Sequence, residues 1–212
     1  MINKANKTVL NKLEQRIVDL SYKYNLSHIG SCLTSVRLID SIYQVKKPDD
    51  IFILSNGHAG LALYVILEKN GVGDAEQLFL KHGVHPNRDI EHGIYCSSGS
   101  LGHGLGIAVG MALSNRNRDV YVMVSDGELA EGSCWEALRI ASENKLENLK
   151  IMCNANGYGA YGKIDVDWLD IRLQYFYPVL VQKTNTYSLP DYLQGLNAHY
   201  QTLDTAKYKE LS

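Results

Sequence analysis

The sequence has little cysteine, and its four cysteines show neither the spacing of a zinc site nor that of a disulfide framework. Cys32, Cys96, Cys134 and Cys153 form no Cys-x-x-Cys pair, so we interpret them as reduced, buried thiols of a cytoplasmic protein. The chain has no basic tract typical of nucleic-acid binding and no apolar run of the roughly 18 residues that a membrane span requires. Its polar N-terminal segment does not look like a secretory signal.

Strand-like and helix-like segments alternate along the chain, which has 212 residues, 45% of them hydrophobic, and a net charge of −2. This order is typical of a parallel sheet flanked by helices, the α/β class. We expect one domain over 1–212, with a core at 10–165 and a divergent tail at 166–212. Strands are predicted at 51–55, 119–125 and 149–154, and helices at 8–24, 35–45, 59–70, 101–115 and 131–144. The tail offers 179–184 as a further strand and 189–203 as a helix or loop.

Two oxygen-bearing side chains follow neighbouring predicted strands. Asp126 comes directly after the strand that ends at Ser125, and Asn156 comes just after the next strand. Because open α/β sheets bind ligands at the carboxyl ends of their strands, these side chains should meet there. Carboxylate and amide oxygens suit Mg²⁺, which can link them to a diphosphate. Asp-Gly and Asn-Gly are also ordinary turn signals, so each pair alone indicates only a turn.

The whole segment from Ser125 to Gly162 is more specific than either pair. It resembles the thiamine diphosphate signature of transketolases, which opens with Gly-Asp-Gly and closes with an asparagine about thirty residues later. The resemblance implies a fold that binds thiamine diphosphate and Mg²⁺. It assigns the metal to Asp126, Asn156 and Tyr158. It assigns cofactor contacts to His58, Gly99, Ser100, Leu101, Ser125, Asp126, Gly127, Glu128, Glu131 and Asn156.

Two residues depart from that signature. Ser125 stands where the family usually has glycine, and Asn154 stands where transketolases usually have aspartate. Neither change removes a metal ligand. Ser125 adds a small side chain close to the expected diphosphate position.

Several histidines fall in strings that resemble transketolase segments. The resemblance places His28, in SHIGSCLTS, and His85, in GVHP, on the substrate side, and it places His58, in SNGH, near the diphosphate. His103, in GSLGHGLG, replaces the usual glutamine, and His199 is the one late candidate for a further substrate histidine. Histidines titrate near neutral pH and suit proton transfer during ketol transfer between sugars. A lone histidine is more often structural.

His82 and His92 match no family string, so we interpret them as surface or structural residues. The family's usual segment that covers the substrate is not evident in the tail, so we expect a more open pocket and an acceptor that could be larger than a simple sugar phosphate.

A full transketolase chain continues with a domain that binds the aminopyrimidine ring of the cofactor. The resemblance therefore implies a separate pyrimidine-binding chain as partner, with two copies of each chain, and it places Glu131 and Glu136 at subunit contacts. The alternative is that these glutamates are ordinary carboxylates in the N-terminal turn of a helix, where the helix dipole favours negative charge.

Two other functions stay open at this point. The same cofactor half could serve another thiamine diphosphate carboligase, such as an enzyme like deoxyxylulose-phosphate synthase. The chain could also be a non-catalytic remnant. Joint retention of Asp126, Asn156 and the family-like histidines argues against a remnant.

Overall fold

A parallel four-stranded sheet organises the protein, and the computed structural model describes residues 10–212. The strands are β1 (Ile51–Leu54), β2 (Val120–Ser125), β3 (Leu149–Ala155) and β6 (Val179–Lys183), in the spatial order β1-β2-β3-β6. Between β3 and β6 along the chain, β4 (Tyr158–Gly159) and β5 (Gly162–Lys163) form a short antiparallel hairpin. All four main strands point the same way, so their carboxyl ends share one edge of the sheet.

Eight α-helices surround this sheet within the described part of the chain. They are α1 (Lys12–Lys23), α2 (Ile29–Val45), α3 (Gly60–Lys69), α4 (Ala75–His82), α5 (His103–Ser114), α6 (Gly132–Glu143), α7 (Val166–Phe176) and α8 (Thr205–Leu211).

Successive residues of the strands point to opposite faces of the sheet, and each face has its own core. Phe52 and Met123 pack with the apolar sides of α1 to α4 and with Leu211 of α8. Ile53 and Val122 pack instead with α5, α6 and α7. Because both faces are covered, β1 is apolar and buried along its whole length, as expected for a central layer of an α/β protein.

Local signals explain where several helices begin. The side chain of Asn11 caps α1 by accepting hydrogen bonds from the Leu13 and Glu14 amides. The Glu14 carboxylate accepts in turn from the Asn11 amide, which completes a capping box. Asp165 caps α7, since its carboxylate accepts a hydrogen bond from the Trp168 amide at 3.0 Å.

The tail folds back onto the rest of the protein. Its strand β6 pairs with β3. In α8, the Tyr208 ring stacks on Tyr22 of α1 with 4.3 Å between centroids. The hydroxyl of Tyr208 also donates to Asp19 at 3.0 Å. Residues after 165 are therefore structural members of the same sheet and helix layers.

The predicted α/β class and parallel sheet are confirmed, and the predicted strands match to within about two residues at each end. The start predicted for the first helix, at residues 8 and 9, lies outside the described residues. The prediction for α2 was wrong at its beginning, because the helix starts at Ile29 instead of residue 35. Helices α4, α7 and α8 were not predicted. The segment 189–203, predicted as a helix or loop, is irregular with short 3₁₀ turns. Within residues 10–212, no helix combines the length and apolar character needed to cross a membrane.

Candidate functional site

A cavity of about 670 Å³ lies at the shared carboxyl edge of the sheet. The segment after each strand contributes to its wall: His58 after β1, Gly127 after β2, Asn156 after β3, and Thr184 after β6. The cavity therefore occupies the position where open parallel sheets bind their ligands.

Asn156 lines this cavity, and Asp126 is buried directly behind the wall beside it. The two oxygens of the Asp126 carboxylate accept hydrogen bonds from the backbone amides of Gly127 at 3.0 Å and Gly157 at 2.6 Å. The amide oxygen of Asn156 accepts from the Tyr158 amide at 2.9 Å. Because Gly157 follows Asn156, the carboxylate is held directly beside the segment that carries the amide.

The Asp126 carboxylate is buried, with 1% of the residue exposed. Burial raises the pKa of this carboxyl to about 6, against the opposing effect of the backbone amides of Gly157 and Gly127. A cation beside a buried carboxylate offsets the cost of removing its charge from water, because an opposite charge favours the ionised form.

The donor chemistry of this pair fits Mg²⁺, which prefers hard oxygen ligands and commonly uses one or two side chains together with phosphate oxygens. Across residues 10–212, no group of three histidine, cysteine or acidic side chains is arranged to hold a metal.

Three histidine rings meet in the wall of the cavity. The ring centroid of His28 lies 4.1 Å from that of His199 and 5.6 Å from that of His58. His58 and His199 are 5.4 Å apart. We define these three residues as the histidine cluster. His85 also lines the cavity.

The histidine cluster favours neutral imidazoles. Burial, followed by repulsion from His199 and His85, lowers the pKa of His28 to about 4. Burial also lowers the pKa of His58 to about 3, with repulsion from His28, His199 and His85 adding to the effect. Burial lowers the pKa of His199 as well. Neutral rings can each offer one donor and one acceptor to hydroxyl and carbonyl oxygens.

His28 is held in an unusual backbone conformation by the tail. Its φ is +62°, in the left-handed region that non-glycine residues seldom adopt. Its backbone amide donates to the carbonyl of His199 at 3.1 Å. Strain of this kind persists where the surroundings hold it, and it concentrates at functional sites.

Gly99 is required by its contact with His85. Its φ is +128°, and a Cβ at this position would lie 2.7 Å from the His85 ring. Any side chain here would push His85 away from the cavity wall, so glycine is needed for the loop to approach the histidine this closely.

The predicted site residues divide into two groups by position. The first group lines the cavity and contains His28, His58, His85, His199, Gly99, Leu101, Ser125, Gly127, Asn156 and Tyr158. The second group lies outside that lining and contains Ser100, His103, Asp126, Glu128 and Glu131.

Members of the second group are either exposed or buried behind the wall. Ser100, His103 and Glu131 are exposed, whereas Asp126 and Glu128 are buried. Their roles, like those of the first group, stay predictions. The sequence also placed His58 apart from the substrate histidines, but its ring belongs to the same cluster as His28.

His82 and His92 form a separate group with Asp89. One oxygen of the Asp89 carboxylate lies 3.1 Å from His82 Nε2 and 2.8 Å from His92 Nδ1, and it accepts from Lys81 Nζ at 2.7 Å. Hydrogen bonds from Lys81 and His92 hold the pKa of Asp89 near 2. This group lies outside the cavity lining and agrees with the structural interpretation of the two histidines.

The two departures from the family signature have clear contacts. The hydroxyl of Ser125 accepts a hydrogen bond from the Glu128 amide at 3.1 Å. The side-chain amide of Asn154 donates to the hydroxyls of Thr34 and Ser35, both at 3.0 Å, and its oxygen accepts from Thr184 at 2.5 Å. Asn154 thereby links α2, β3 and the tail beneath the cavity.

The tail supplies more of the cavity than the sequence indicated. The chain after β6 runs along the cavity wall and carries His199 into the cluster. The expectation of a pocket more open than is usual in the family stays a prediction. Lining residues that sequence reasoning missed include Gly30, Ser31, Thr34, Lys163, Thr184, Asn185, Tyr187, Gln194, Asn197 and Tyr200. The first three lie in the SHIGSCLTS string, and the others lie in the β4–β5 hairpin or in the tail.

Fold and cavity together define an open parallel α/β protein whose ligand site lies at the carboxyl edge of the sheet. The family described as "Transketolase, thiamine diphosphate binding domain" matches residues 7–177. The chain belongs to this family.

Two relatives of known name agree with that assignment. One, from Phocaeicola vulgatus, is named as a subunit of apulose-4-phosphate transketolase; the chain is 34% identical to it over 165 residues, covering 68% of this chain and 58% of that protein. The chain is also 32% identical over 179 residues to human transketolase, covering 73% of this chain and 28% of that protein. This chain therefore spans only part of each of these two relatives.

Solved structures support the fold. A transketolase variant from Pichia stipitis superposes with a TM-score of 0.69 at 22% identity, over 81% of this chain and 35% of that one. At this identity the likeness establishes the shared fold.

Proposed function

We propose that this chain is the subunit of a split transketolase-like enzyme that binds thiamine diphosphate and Mg²⁺. The assembled enzyme transfers a two-carbon ketol unit from a ketose donor to an aldehyde or ketone sugar acceptor, either free or phosphorylated. The observation that carries this proposal is that Asn156, which lies beside the buried Asp126 carboxylate, lines the same cavity as the histidine cluster.

The oxygen pair would hold the metal. Asp126 supplies the carboxylate and Asn156 the amide oxygen, and we assign Tyr158 to the same metal from the family resemblance. The backbone amides of Gly127 and Gly157 fix the carboxylate from two sides, which keeps its orientation constant. Thiamine diphosphate, when bound, supplies the carbanion chemistry of the reaction.

The histidines would handle the substrate oxygens. Because burial lowers the pKa of both rings and so favours their neutral form, His28 and His199 can donate a hydrogen bond to a sugar oxygen or accept a proton from its hydroxyl. His85 adds a further ring on the cavity wall. The tail forms part of the cavity wall around these histidines.

A second chain would complete the enzyme. The relative from Phocaeicola vulgatus is named as one subunit of its enzyme, which supports a separate partner, and we propose that this partner binds the aminopyrimidine ring. Glu131 and Glu136 are exposed at the beginning of α6 and are available for contacts between subunits. Two copies of each chain would form the assembly. The free, buried cysteines support a cytoplasmic location.

A mixing experiment tests the proposal. The purified chain alone should show no ketol transfer, and activity should appear when a chain resembling the pyrimidine-binding half is added with thiamine diphosphate and Mg²⁺. Mass measurement should give two copies of each chain. Robust turnover by this chain alone would refute the split-enzyme proposal.

The donor used by the assembled enzyme separates the two carboligase candidates. Use of a ketose with release of an aldose supports transketolase chemistry, whereas use of pyruvate with release of carbon dioxide supports the alternative reaction. Failure to bind thiamine diphosphate, both for the chain alone and for the chain mixed with its partner, would support a non-catalytic remnant.

A further inference from the structure

Glu128 is a fully buried carboxylate that lies behind the cavity wall and contacts two separate loops. The residue has no exposed surface. Its Oε1 accepts a hydrogen bond from the hydroxyl of Ser55 at 2.6 Å and another from the backbone amide of Gly102 at 2.8 Å. Its Oε2 has no hydrogen-bond partner within residues 10–212. An acceptor left unpaired in the interior opposes folding, so stability alone does not explain a carboxylate at this position.

The two donors belong to loops that carry cavity residues. Ser55 begins the segment after β1, which continues to His58. Gly102 immediately precedes α5 and follows Gly99 and Leu101, which line the cavity. The carboxylate therefore joins the loop after β1 to the loop before α5 through a single oxygen.

Close packing fixes these loops against each other at the same place. A Cβ on Gly104 would lie 2.5 Å from the hydroxyl oxygen of Ser55 and 2.7 Å from its Cα. A Cβ on Gly57 would lie 2.5 Å from the amide nitrogen of Gly99. A side chain at either glycine would collide with the other loop, so the loop after β1 and the loop before α5 approach closely at the place where Glu128 contacts both.

Glu128 is itself fixed to the loop that follows β2. Its amide donates to Ser125 at 3.1 Å, and its carbonyl accepts from the thiol of Cys134 at 3.3 Å. Asp126 lies between Ser125 and Glu128 in sequence. Loops from three parts of the sheet edge are thus connected through one side chain and its backbone.

We propose that Glu128 is a positioning residue that sets the loop carrying Gly99 and Leu101 relative to the segment carrying His58 and to the Asp126 loop. It acts by accepting two hydrogen bonds and does not touch the bound ligand. This inference rests on the proposed function only in treating those loops as the cofactor site. It replaces direct cofactor contact as the role of Glu128.

Amide hydrogen exchange on the unliganded chain tests the positioning role directly. Glu128→Met keeps the length and approximate volume of the side chain but removes both accepted bonds, whereas Glu128→Gln keeps an acceptor oxygen. We expect backbone amides in residues 98–104 to exchange about tenfold faster in Glu128→Met, because the Gly102 amide loses its hydrogen-bond acceptor. Glu128→Gln should stay within about threefold of wild type.

Asn148→Leu is the matched control. Asn148 is also buried, and its side chain donates to the carbonyls of Ala112, Asn115 and Arg118 at the other end of α5. Its loss should lower the melting temperature without selective faster exchange at 98–104. If Asn148→Leu accelerates that segment as much as Glu128→Met does, or if Glu128→Met leaves it unchanged, the positioning role is wrong.

Calorimetric titration of the assembled enzyme with thiamine diphosphate and Mg²⁺ provides the second readout. Affinity should fall about tenfold or more in Glu128→Met and should recover in Glu128→Gln. Equal affinity in Glu128→Met and wild type would overturn the inference. Absence of binding by the wild type would refute the proposed function instead, and the exchange experiment would still decide the role of Glu128.

Discussion

Acidification should destabilise the wild-type protein more than a variant in which His58 is replaced by glutamine. Burial lowers the pKa of His58 to about 3, whereas the unfolded chain has an ordinary histidine pKa near 6.5. Between these values the unfolded state binds a proton that the folded state does not accept. Stability associated with His58 is therefore complete above about pH 6.5 and is lost progressively as the pH falls toward 3.

The size of the effect follows from this difference. At pH 5, which is about 1.5 units below the pKa of the unfolded chain, keeping the His58 ring neutral lowers the free energy of unfolding by about 2 kcal/mol. Each pKa unit corresponds to about 1.36 kcal/mol. Asp126, whose pKa is raised by burial, contributes with the opposite sign, because protonation of the folded state favours folding as the pH falls. That contribution is present in both proteins and cancels when they are compared.

Urea unfolding at pH 7.5 and at pH 5 measures the difference. Between the two conditions, the free energy of unfolding of the wild type should fall by about 2 kcal/mol more than that of His58→Gln. Asn197→Ala, a change at an uncharged residue of the cavity wall, should lose as much as wild type. Equal losses in wild type and His58→Gln would show that burial of the histidine cluster does not control its protonation.

Two further predictions concern the oxygen pair and the substrate side. Asp126→Ala should reduce Mg²⁺-dependent thiamine diphosphate affinity by more than the ~10–100-fold typical of outer-shell changes, because it removes the carboxylate ligand itself; unchanged affinity in calorimetry would rule out that assignment. Replacing His28, His85 or His199 by alanine should lower turnover of the assembled enzyme by on the order of 10²–10⁴-fold while cofactor affinity stays nearly intact. A parallel fall of affinity, turnover and melting temperature in these variants would indicate packing roles instead.

The central part of the fold and the oxygen pair were predictable from sequence. Apolar strands β2 and β3 carry strong local signals, and parallel strands necessarily bring Asp126 and Asn156 to one edge. Helix α7 was missed for a physical reason: Trp168, Ile171 and Tyr175 are 56%, 48% and 86% exposed, so apolar residues occupy both sides of the helix and hide its periodicity.

The histidine cluster was only partly predictable. The family-like strings identified His28 and His58 separately, and His199 was a late candidate with no local signal of its own. Their meeting depends on the path of the tail from β6 back to the beginning of α2, and contacts between distant parts of the chain leave no trace in local periodicity. The engagement of Asn154 with Thr184 was hidden for the same reason.

The hydrogen bond from the His28 amide to the His199 carbonyl has a consequence for how the two sides of the cavity form during folding. The oxygen pair depends on β2 and β3, which are complete before the tail is added along the chain. The histidine cluster forms only when β6 has joined the edge of the sheet and the following segment has reached α2. Docking of the tail is therefore the step that brings His199 to the oxygen pair's edge of the sheet and completes the cavity.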